Sequence, residues 1–159
     1  MAAIDQASLR IVKTARQVAP LVLRIALALP FLRSGLTRWD GFLSLSPGTR
    51  FLFEEQFRLH IFGGEYALPA PDRLALLTAV AEIVLPVLLI VGLGTRLAAL
   101  GLLVMTGVIQ LVFPDGWANF HLYWAALALD LIARGPGAIS IDRWICGAIA
   151  RFRPSRATC

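Results

Sequence analysis

The chain has 159 residues, of which 58% are hydrophobic and only 16% are charged, and its mean hydropathy is +0.73. A soluble domain is typically about 45–50% apolar and about 25% charged, so this composition excludes an ordinary soluble domain and predicts a single membrane domain over residues 1–159. The formal charge of +5 and the pI near 10.2 fit a basic rim beside anionic lipid headgroups, and no nucleic-acid partner is predicted.

Four long apolar runs predict helices that cross a membrane. They cover residues 18–36, 74–93, 97–113 and 119–133. A helical span needs roughly 20 apolar residues, and lipid cannot satisfy an open sheet edge. We therefore predict an all-α membrane protein, built as a four-transmembrane-helix bundle. The fourth run is the shortest of the four.

The segment between the first two runs predicts an additional helix on the outer side. Ser46-Pro47 is a favourable helix start, and the following GTRFLFEEQFRLHIF places Phe53 and Phe57 at helical spacing before Gly63-Gly64 ends it. Such an amphipathic helix lies on the membrane interface as a lid, or it packs there only to cover the mouth of the bundle.

The C-terminal segment predicts a second interfacial helix. It follows the breaker Gly135-Pro136-Gly137, and its apolar stripe consists of Ile141, Ile145, Ala148 and Phe152. Basic residues elsewhere on the same helix are typical of an anchor on the inner surface of the membrane.

The basic residues of the chain predict its orientation. With the N-terminus inside, the inner side holds Arg10, Lys13, Arg16, Arg96, Arg134, Arg143, Arg151, Arg153 and Arg156. The outer side holds Arg38, Arg50, Arg58 and Arg73, together with Asp40, Glu54, Glu55, Glu65 and Asp72. This asymmetry predicts a multi-pass membrane protein with both termini in the cytoplasm.

Charged residues inside the apolar runs are the candidate functional residues. Glu82 lies near the middle of the second run, where a carboxylate costs roughly 2–4 kcal/mol and needs a partner or a function. Depth estimated from a rise of about 1.5 Å per residue separates two levels. The outer level holds Arg33, Glu82, Gln110 and His121, and it opens toward Arg38 and Trp39. The inner level holds Arg24 and Asp130.

Each level has a structural and a functional interpretation. Arg24 with Asp130 is expected to form a structural ion pair, and Arg33 with Glu82 can form a second one. The outer level, with four different polar residues from four helices, also suits a ligand with carbonyl oxygens and an apolar tail. Arg33 and His121 would donate to those oxygens and Glu82 would relay protons, which describes a quinone headgroup as a hypothesis.

His60 and His121 are the only histidines, and both fall on the outer side. Two histidines without a cysteine or carboxylate pattern are a weak signal for copper or haem, so no metal site is predicted.

Several short motifs, in this order and spacing, make the chain resemble the DoxX family of small four-span bacterial membrane proteins. They are Arg24, the Phe31–Gly35–Arg38 pattern, Ala81-Glu82, LLIVGLGTRLAALGLLVM with Gly92, Thr95-Arg96, Ala98-Ala99 and Met105, then His121 and LIARGPGAISID with Ser140 and Asp142. Together they cover most of residues 20–145. Arg38 stands where lysine is common, Pro86 where glycine is common, and the outer loop is long.

The resemblance implies a location in the bacterial inner membrane, and it implies a function only in outline. Some relatives are subunits of a thiosulfate:quinone oxidoreductase, others are linked to redox- or metal-stress complexes, and most have no assigned reaction. It implies an accessory subunit of such an assembly, or alternatively a quinone-binding subunit whose electrons come from a soluble partner protein. No flavin, iron–sulfur or haem motif is recognisable. Whether the chain is an enzyme or forms a homo-oligomer stays open.

Overall fold

The computed structural model describes the backbone of residues 2–152 and the side chains of residues 6–149. The side chains of Arg151, Phe152, Arg153 and Arg156 lie outside this part. The helices are α1 (Ala2–Thr37), α2 (Pro47–Phe51), α3 (Pro71–Val91), α4 (Thr95–Val112), α5 (Leu122–Arg134) and α6 (Ile141–Phe152). A 3₁₀ turn (Pro114–Gly116), two π-helical turns (Leu52–Gln56 and Trp117–His121) and a hairpin of β1 (Arg58–Ile61) with β2 (Gly64–Ala67) complete the described fold.

Within the part of the chain that the structure describes, three helices are long and apolar enough to cross a membrane, and this confirms a multi-pass membrane protein. They are the segment Gln6–Thr37 of α1, then Pro71–Val91 and Thr95–Val112. The fourth predicted run forms α5, whose 13 residues are fewer than the roughly 17–25 of a usual span. Four spans are therefore not confirmed by helix length.

The first helix begins much earlier than the predicted boundary at residue 18. α1 has 36 residues and starts at Ala2. No glycine or proline precedes Pro20 in the helix, so nothing in the sequence ends it at the edge of the apolar run. At about 1.5 Å per residue it is about 54 Å long, well beyond a hydrocarbon core of about 30 Å.

The outer-loop helix is only partly as predicted. Helical structure runs from Pro47 through the π-helical turn to Gln56, but Phe57 is extended (φ −77°, ψ 123°) and the next four residues form β1. The hairpin turn contains Phe62 and Gly63, both with positive φ (50° and 78°), which matches the twist of two paired strands. Pairing with β2 therefore overrides the helical spacing of the phenylalanines.

The long helices pack in a ring. α1 contacts α3 and α5, and α4 contacts the same two helices. Their shared core is the cluster Leu27, Ala28, Phe31, Leu89, Ala98, Ala99, Leu102, Ala128 and Leu131. A second cluster, of Leu45, Phe53, Leu68, Ala75 and Ala79, joins residues 38–68 to α3. We call residues 38–68 the lid and that end of the molecule the lid end. The opposite end, with residues 92–94 and 135–142, is the base end.

α1 and α3 are in close contact at Gly35. A Cβ on this residue would lie 2.9 Å from the backbone carbon, the carbonyl oxygen and the Cβ of Glu82. Real Cβ atoms do not come so close to backbone atoms, so only glycine permits this helix contact. The small residue thus sets the distance between the two helices at the level of the buried carboxylate.

Replacing Gly35 with alanine is expected to separate α1 from α3 and to destabilise the fold by about 1–3 kcal/mol through overpacking. Thermal unfolding of the detergent-purified protein measures this effect. Gly107→Ala is the matched control, because a Cβ there meets nothing within 4 Å and alanine favours a helix by about 1 kcal/mol. Equal melting temperatures for the two variants would contradict the close-contact explanation.

Candidate functional site

Glu82 lies on the face of α3 that is turned into the protein. The buried residues of this helix, Ala75, Ala79, Glu82, Pro86 and Leu89, recur every three or four positions. That spacing follows one face of a helix with 3.6 residues per turn. The side chain of Glu82 is only 2% exposed, so its carboxylate needs partners within the protein.

Arg38 is the main partner of this carboxylate. Its Nε donates to Glu82 Oε2, and its Nη2 donates to Oε1 at 2.9 Å, so the pair is bidentate. Ser34 Oγ also donates to Oε1, at 3.3 Å. Arginine and carboxylate match best in this two-bond geometry, which adds specificity to the charge attraction. Both carboxylate oxygens are therefore satisfied and the net charge of the pair is zero.

The same arginine fastens the lid to the bundle. Its guanidinium lies over the ring of Phe53, 5.3 Å from the ring centre, in a cation–π contact. Its backbone carbonyl accepts hydrogen bonds from Ser46 N at 2.9 Å and from Thr49 Oγ1 at 3.2 Å. Ser46 in turn caps α2 by accepting from Thr49 N. Arg38 thus connects the buried carboxylate to the start of α2 in the lid.

A cavity of about 240 Å³ lies beside this ion pair at the lid end. Its polar wall is small and comes from Ser34, Arg38, Thr78 and Glu82. The rest of the lining is apolar and consists of Pro30, Phe31, Phe53, Phe57, Leu68, Leu74, Met105, Val108, Ile109, Val112, Phe113 and Trp124. A mostly apolar pocket with a few convergent polar groups is the usual form of a small-molecule site.

The cavity reaches the side of the molecule along α4. Val108 and Phe113 line it, yet their side chains are 49% and 48% exposed. Because Val108 belongs to a membrane-spanning helix, its exposed face meets lipid rather than water. The cavity therefore borders the hydrocarbon region and is not sealed inside the bundle.

The predicted outer cluster is divided in the structure. Arg33 is exposed and does not pair with Glu82; Arg38 takes that place. Gln110 and His121 do meet: His121 Nδ1 and Gln110 Oε1 are 2.6 Å apart, and Gln110 Nε2 donates to the carbonyl of Pro114 at 2.9 Å. Neither of these two residues lines the cavity. They join the end of α4 to the π-helical turn that precedes α5.

The predicted Arg24–Asp130 pair is not formed. Asp130 pairs with Arg134 one turn later on the same helix, at 2.8 Å, and its side chain is 26% exposed. Arg24 is buried at the base end, where its Nη2 donates to the carbonyl of Ile139. Asp130 lies on the outward side of α5, whereas Ala128 and Leu131 on that helix are buried.

Asp142, at the start of α6, caps α4. Its two carboxylate oxygens accept from Gly94 N at 2.7 Å and from Thr95 N at 2.9 Å, and its own N donates to the carbonyl of Gly92. Burial raises the pKa of this carboxyl, but the backbone donors of Thr95 and Gly94 and the charge of Arg24 outweigh burial, so its pKa lies below the usual value.

Among residues 6–149, no group of three or more His, Cys, Asp and Glu side chains could hold a metal ion. His60 instead lies 3.3 Å from the carbonyl of Leu111 through Nδ1, and its Nε2 is 3.6 Å from the carboxylate of Glu65.

Comparison with known proteins identifies the family. The DoxX family model matches residues 19–115, more than half of the chain. The chain belongs to the DoxX family. No curated protein and no solved structure matches this DoxX chain. The family match contains Arg38, Glu82 and all of the cavity lining except Trp124, while His121 and the segment around Asp142 lie beyond it.

Sequence reasoning missed the role of Arg38 in this DoxX protein, although the signal was present. Arg24, Phe31, Gly35 and Arg38 recur at intervals of seven, four and three residues, which places the first three on one face of α1 and Arg38 just beyond its end on the same side. Arg33 lies on the opposite face. Ser34 and Thr78 were also missed, since a single hydroxyl in an apolar run has little sequence signal.

Replacing Glu82 with glutamine is expected to leave the charge of Arg38 uncompensated and to destabilise the protein by about 3 kcal/mol. Removing the charge of the partner as well, in Arg38→Met with Glu82→Gln, should restore part of this loss. Arg33→Gln is the control and should change stability by less than about 0.5 kcal/mol, because that side chain is exposed. A double variant that is less stable than Glu82→Gln alone would contradict the pairing. Thermal or denaturant unfolding in detergent is the measurement.

Asp142→Asn should weaken the cap on α4 and destabilise the protein by about 1 kcal/mol at neutral pH. Because the pKa of Asp142 is lowered in the folded state, its contribution is complete above the unfolded pKa of about 3.9 and is lost as the pH falls through the folded pKa. The difference in melting temperature between parent and variant should therefore shrink as the pH drops from neutral to below about 4. A constant difference would disprove this role of the charge. Asp115→Asn, at an exposed site, is the control.

Proposed function

We propose that this DoxX-family protein is the membrane subunit of a redox-linked assembly and that its lid-end cavity takes a quinone-type headgroup. The observation that carries the proposal is the cavity itself: an apolar pocket that borders lipid along α4 and has a charge-neutral Arg38–Glu82 pair on its wall. Lipid-soluble molecules can reach such a pocket directly from the bilayer.

The charge and hydrogen-bonding groups of the cavity favour a neutral ligand with carbonyl oxygens. The compensated ion pair attracts neither an anion nor a cation strongly, since its two charges cancel over a short distance. Among residues 6–149, no hydrogen bond uses Arg38 Nη1 or the hydroxyl of Thr78, so both are proposed as donors to the ligand. Arg33 and His121, the donors expected from the sequence, do not line the cavity.

The size of the cavity supports a headgroup rather than a whole lipid-soluble molecule. Sites for drug-sized ligands typically measure about 300–1,000 Å³, and this cavity measures about 240 Å³. It matches a single substituted ring, and an isoprenoid tail would leave past Val108 into the lipid. Phe31, Met105 and Trp124 supply apolar and aromatic surface for the ring.

A protein partner completes the proposed function. The sequence contains no recognisable flavin, iron–sulfur or haem motif, so we propose that electrons come from a soluble redox or metal-handling protein. The base end carries the basic residues Arg96, Arg134 and Arg143. We propose that this end faces the cytoplasm at the bacterial inner membrane. Helical structure from Trp117 to Arg134 then acts as a short fourth span, with both termini on that side.

A second candidate is a purely accessory subunit of a redox- or metal-stress assembly, in which the ion pair is only a structural lock. The satisfaction of both Glu82 oxygens by Arg38 and Ser34 favours this alternative. The two candidates differ in whether the cavity binds a ligand.

Thermal stability of the purified protein with and without a short-chain ubiquinone separates the two candidates. Saturating ligand stabilises the folded state by mass action, by about 2.7 kcal/mol at a hundredfold excess over the dissociation constant. We expect a concentration-dependent rise in melting temperature in the parent and a smaller rise in Thr78→Val, which removes one donor at nearly constant volume.

Paired variants on α4 control this measurement. Val108→Trp fills the cavity and should abolish the shift, whereas Val104→Trp, one turn away and 61% exposed, should keep it. Arg33→Ala should also keep it. If the parent shows no shift, or if Val108→Trp shifts as much as the parent, the cavity is not a quinone site and the accessory role is favoured.

A further inference from the structure

The N-terminal part of α1 is exposed over the side chains that the structure describes. Every residue from 6 to 19 is exposed, although the helix continues without interruption to Thr37. About 20 residues of helix suffice to cross the bilayer core, so residues 6–17 extend beyond it. We call residues 6–19 the N-terminal arm. An isolated helix of this length is only marginally stable in water, so the arm needs an apolar partner.

The arm is amphipathic, and its apolar stripe continues into the lipid-facing surface of the span. The exposed residues of this stripe are spaced by three or four positions along the whole helix: Ala7, Ile11, Ala15, Val18, Val22, Ile25 and Leu29. The last three meet lipid because they are exposed on a membrane-spanning segment. The arm thus extends an existing lipid-facing surface.

The other side of the arm is basic. Lys13 and Arg16 lie opposite the stripe, Arg10 flanks it, and the exposed Leu9 shares the basic side. No acidic residue occurs between residues 6 and 39. Helices with an apolar face and a lysine- and arginine-bearing polar face bind the surface of membranes that contain anionic lipids.

Pro20 lies on the side of α1 from which a kink would turn the arm toward the lipid. Its ring faces the protein, since it lies directly against the position where Gly137 would carry a Cβ. Proline lacks an N–H and its ring pushes away the carbonyl four residues earlier, so the helix opens on the side of the ring. A kink at Pro20 would thus carry the arm away from the bundle, toward its own apolar stripe. A bend in that direction turns the stripe onto the membrane surface.

We propose that the N-terminal arm lies on the membrane surface at the base end and recognises anionic phospholipid headgroups through Arg10, Lys13 and Arg16. This assignment is independent of what occupies the lid-end cavity. It also makes Pro20 the hinge between the spanning and the interfacial parts of α1.

Hydrogen exchange of the full-length protein, one copy per lipid nanodisc, tests the proposal. The two lipids are phosphatidylcholine alone and phosphatidylcholine with a quarter of phosphatidylglycerol. We expect amides of the arm to exchange about tenfold more slowly in the anionic discs, since each basic residue adds to the attraction. Arg10→Gln/Lys13→Gln/Arg16→Gln should remove that difference. Arg50→Gln/Arg73→Gln, which neutralises exposed basic residues at the lid end, should leave it intact.

Fast exchange of the arm in both lipids would overturn the proposal and indicate that a protein partner covers the stripe. Equal protection in both lipids, unchanged in the triple variant, would overturn the recognition of anionic lipid. Protection that appears only when discs hold two copies would identify a second copy of the chain as the occupant. Peptides from α3 and α4 report in the same experiment whether each variant is folded.

Discussion

The bidentate pair of Arg38 and Glu82 is the interaction on which the lid end depends. A carboxylate near the middle of a membrane-spanning helix costs roughly 2–4 kcal/mol unless it is compensated. Compensation requires the guanidinium to come within hydrogen-bond distance, and Gly35 permits this by letting α1 touch the backbone of α3. The same arginine holds the lid in place by its cation–π contact with Phe53 and by the hydrogen bonds that its backbone carbonyl accepts. Helix spacing, charge balance and lid position are therefore consequences of one contact.

The sequence identified this carboxylate but not its partner, and the reason is geometric. Hydropathy and charge are local properties, so Glu82 was evident as a carboxylate inside an apolar run. Its partner depends on the rotation of a different helix. Depth along the membrane normal favoured Arg33, whereas the face of α1 that contains Phe31 and Gly35 selects Arg38. Depth alone also favours a pair of Arg24 with Asp130. The rotation of α5 prevents this pair, because it places Asp130 on the outward side of that helix.

Contacts between distant segments account for the other differences from expectation. The phenylalanine spacing after Pro47 is compatible with a helix, but a hairpin turn at Phe62-Gly63 and pairing with residues 64–67 decide the structure of residues 58–61. No local pattern shows that Asp142 ends 2.7 and 2.9 Å from the first amides of α4. Family membership and the long apolar helices, by contrast, follow from properties that each short segment carries by itself.

The cap on α4 has a mechanical consequence. Asp142 belongs to α6 but is bonded to the first turn of α4, so a force that displaces α6 along the membrane also acts on α4. An α-helix transmits axial and rotational displacement over its length because its backbone hydrogen bonds are continuous. α4 is about 27 Å long, and its far end borders the cavity. A displacement of α6 would therefore reach the wall of the cavity, at the other end of the bundle, through α4.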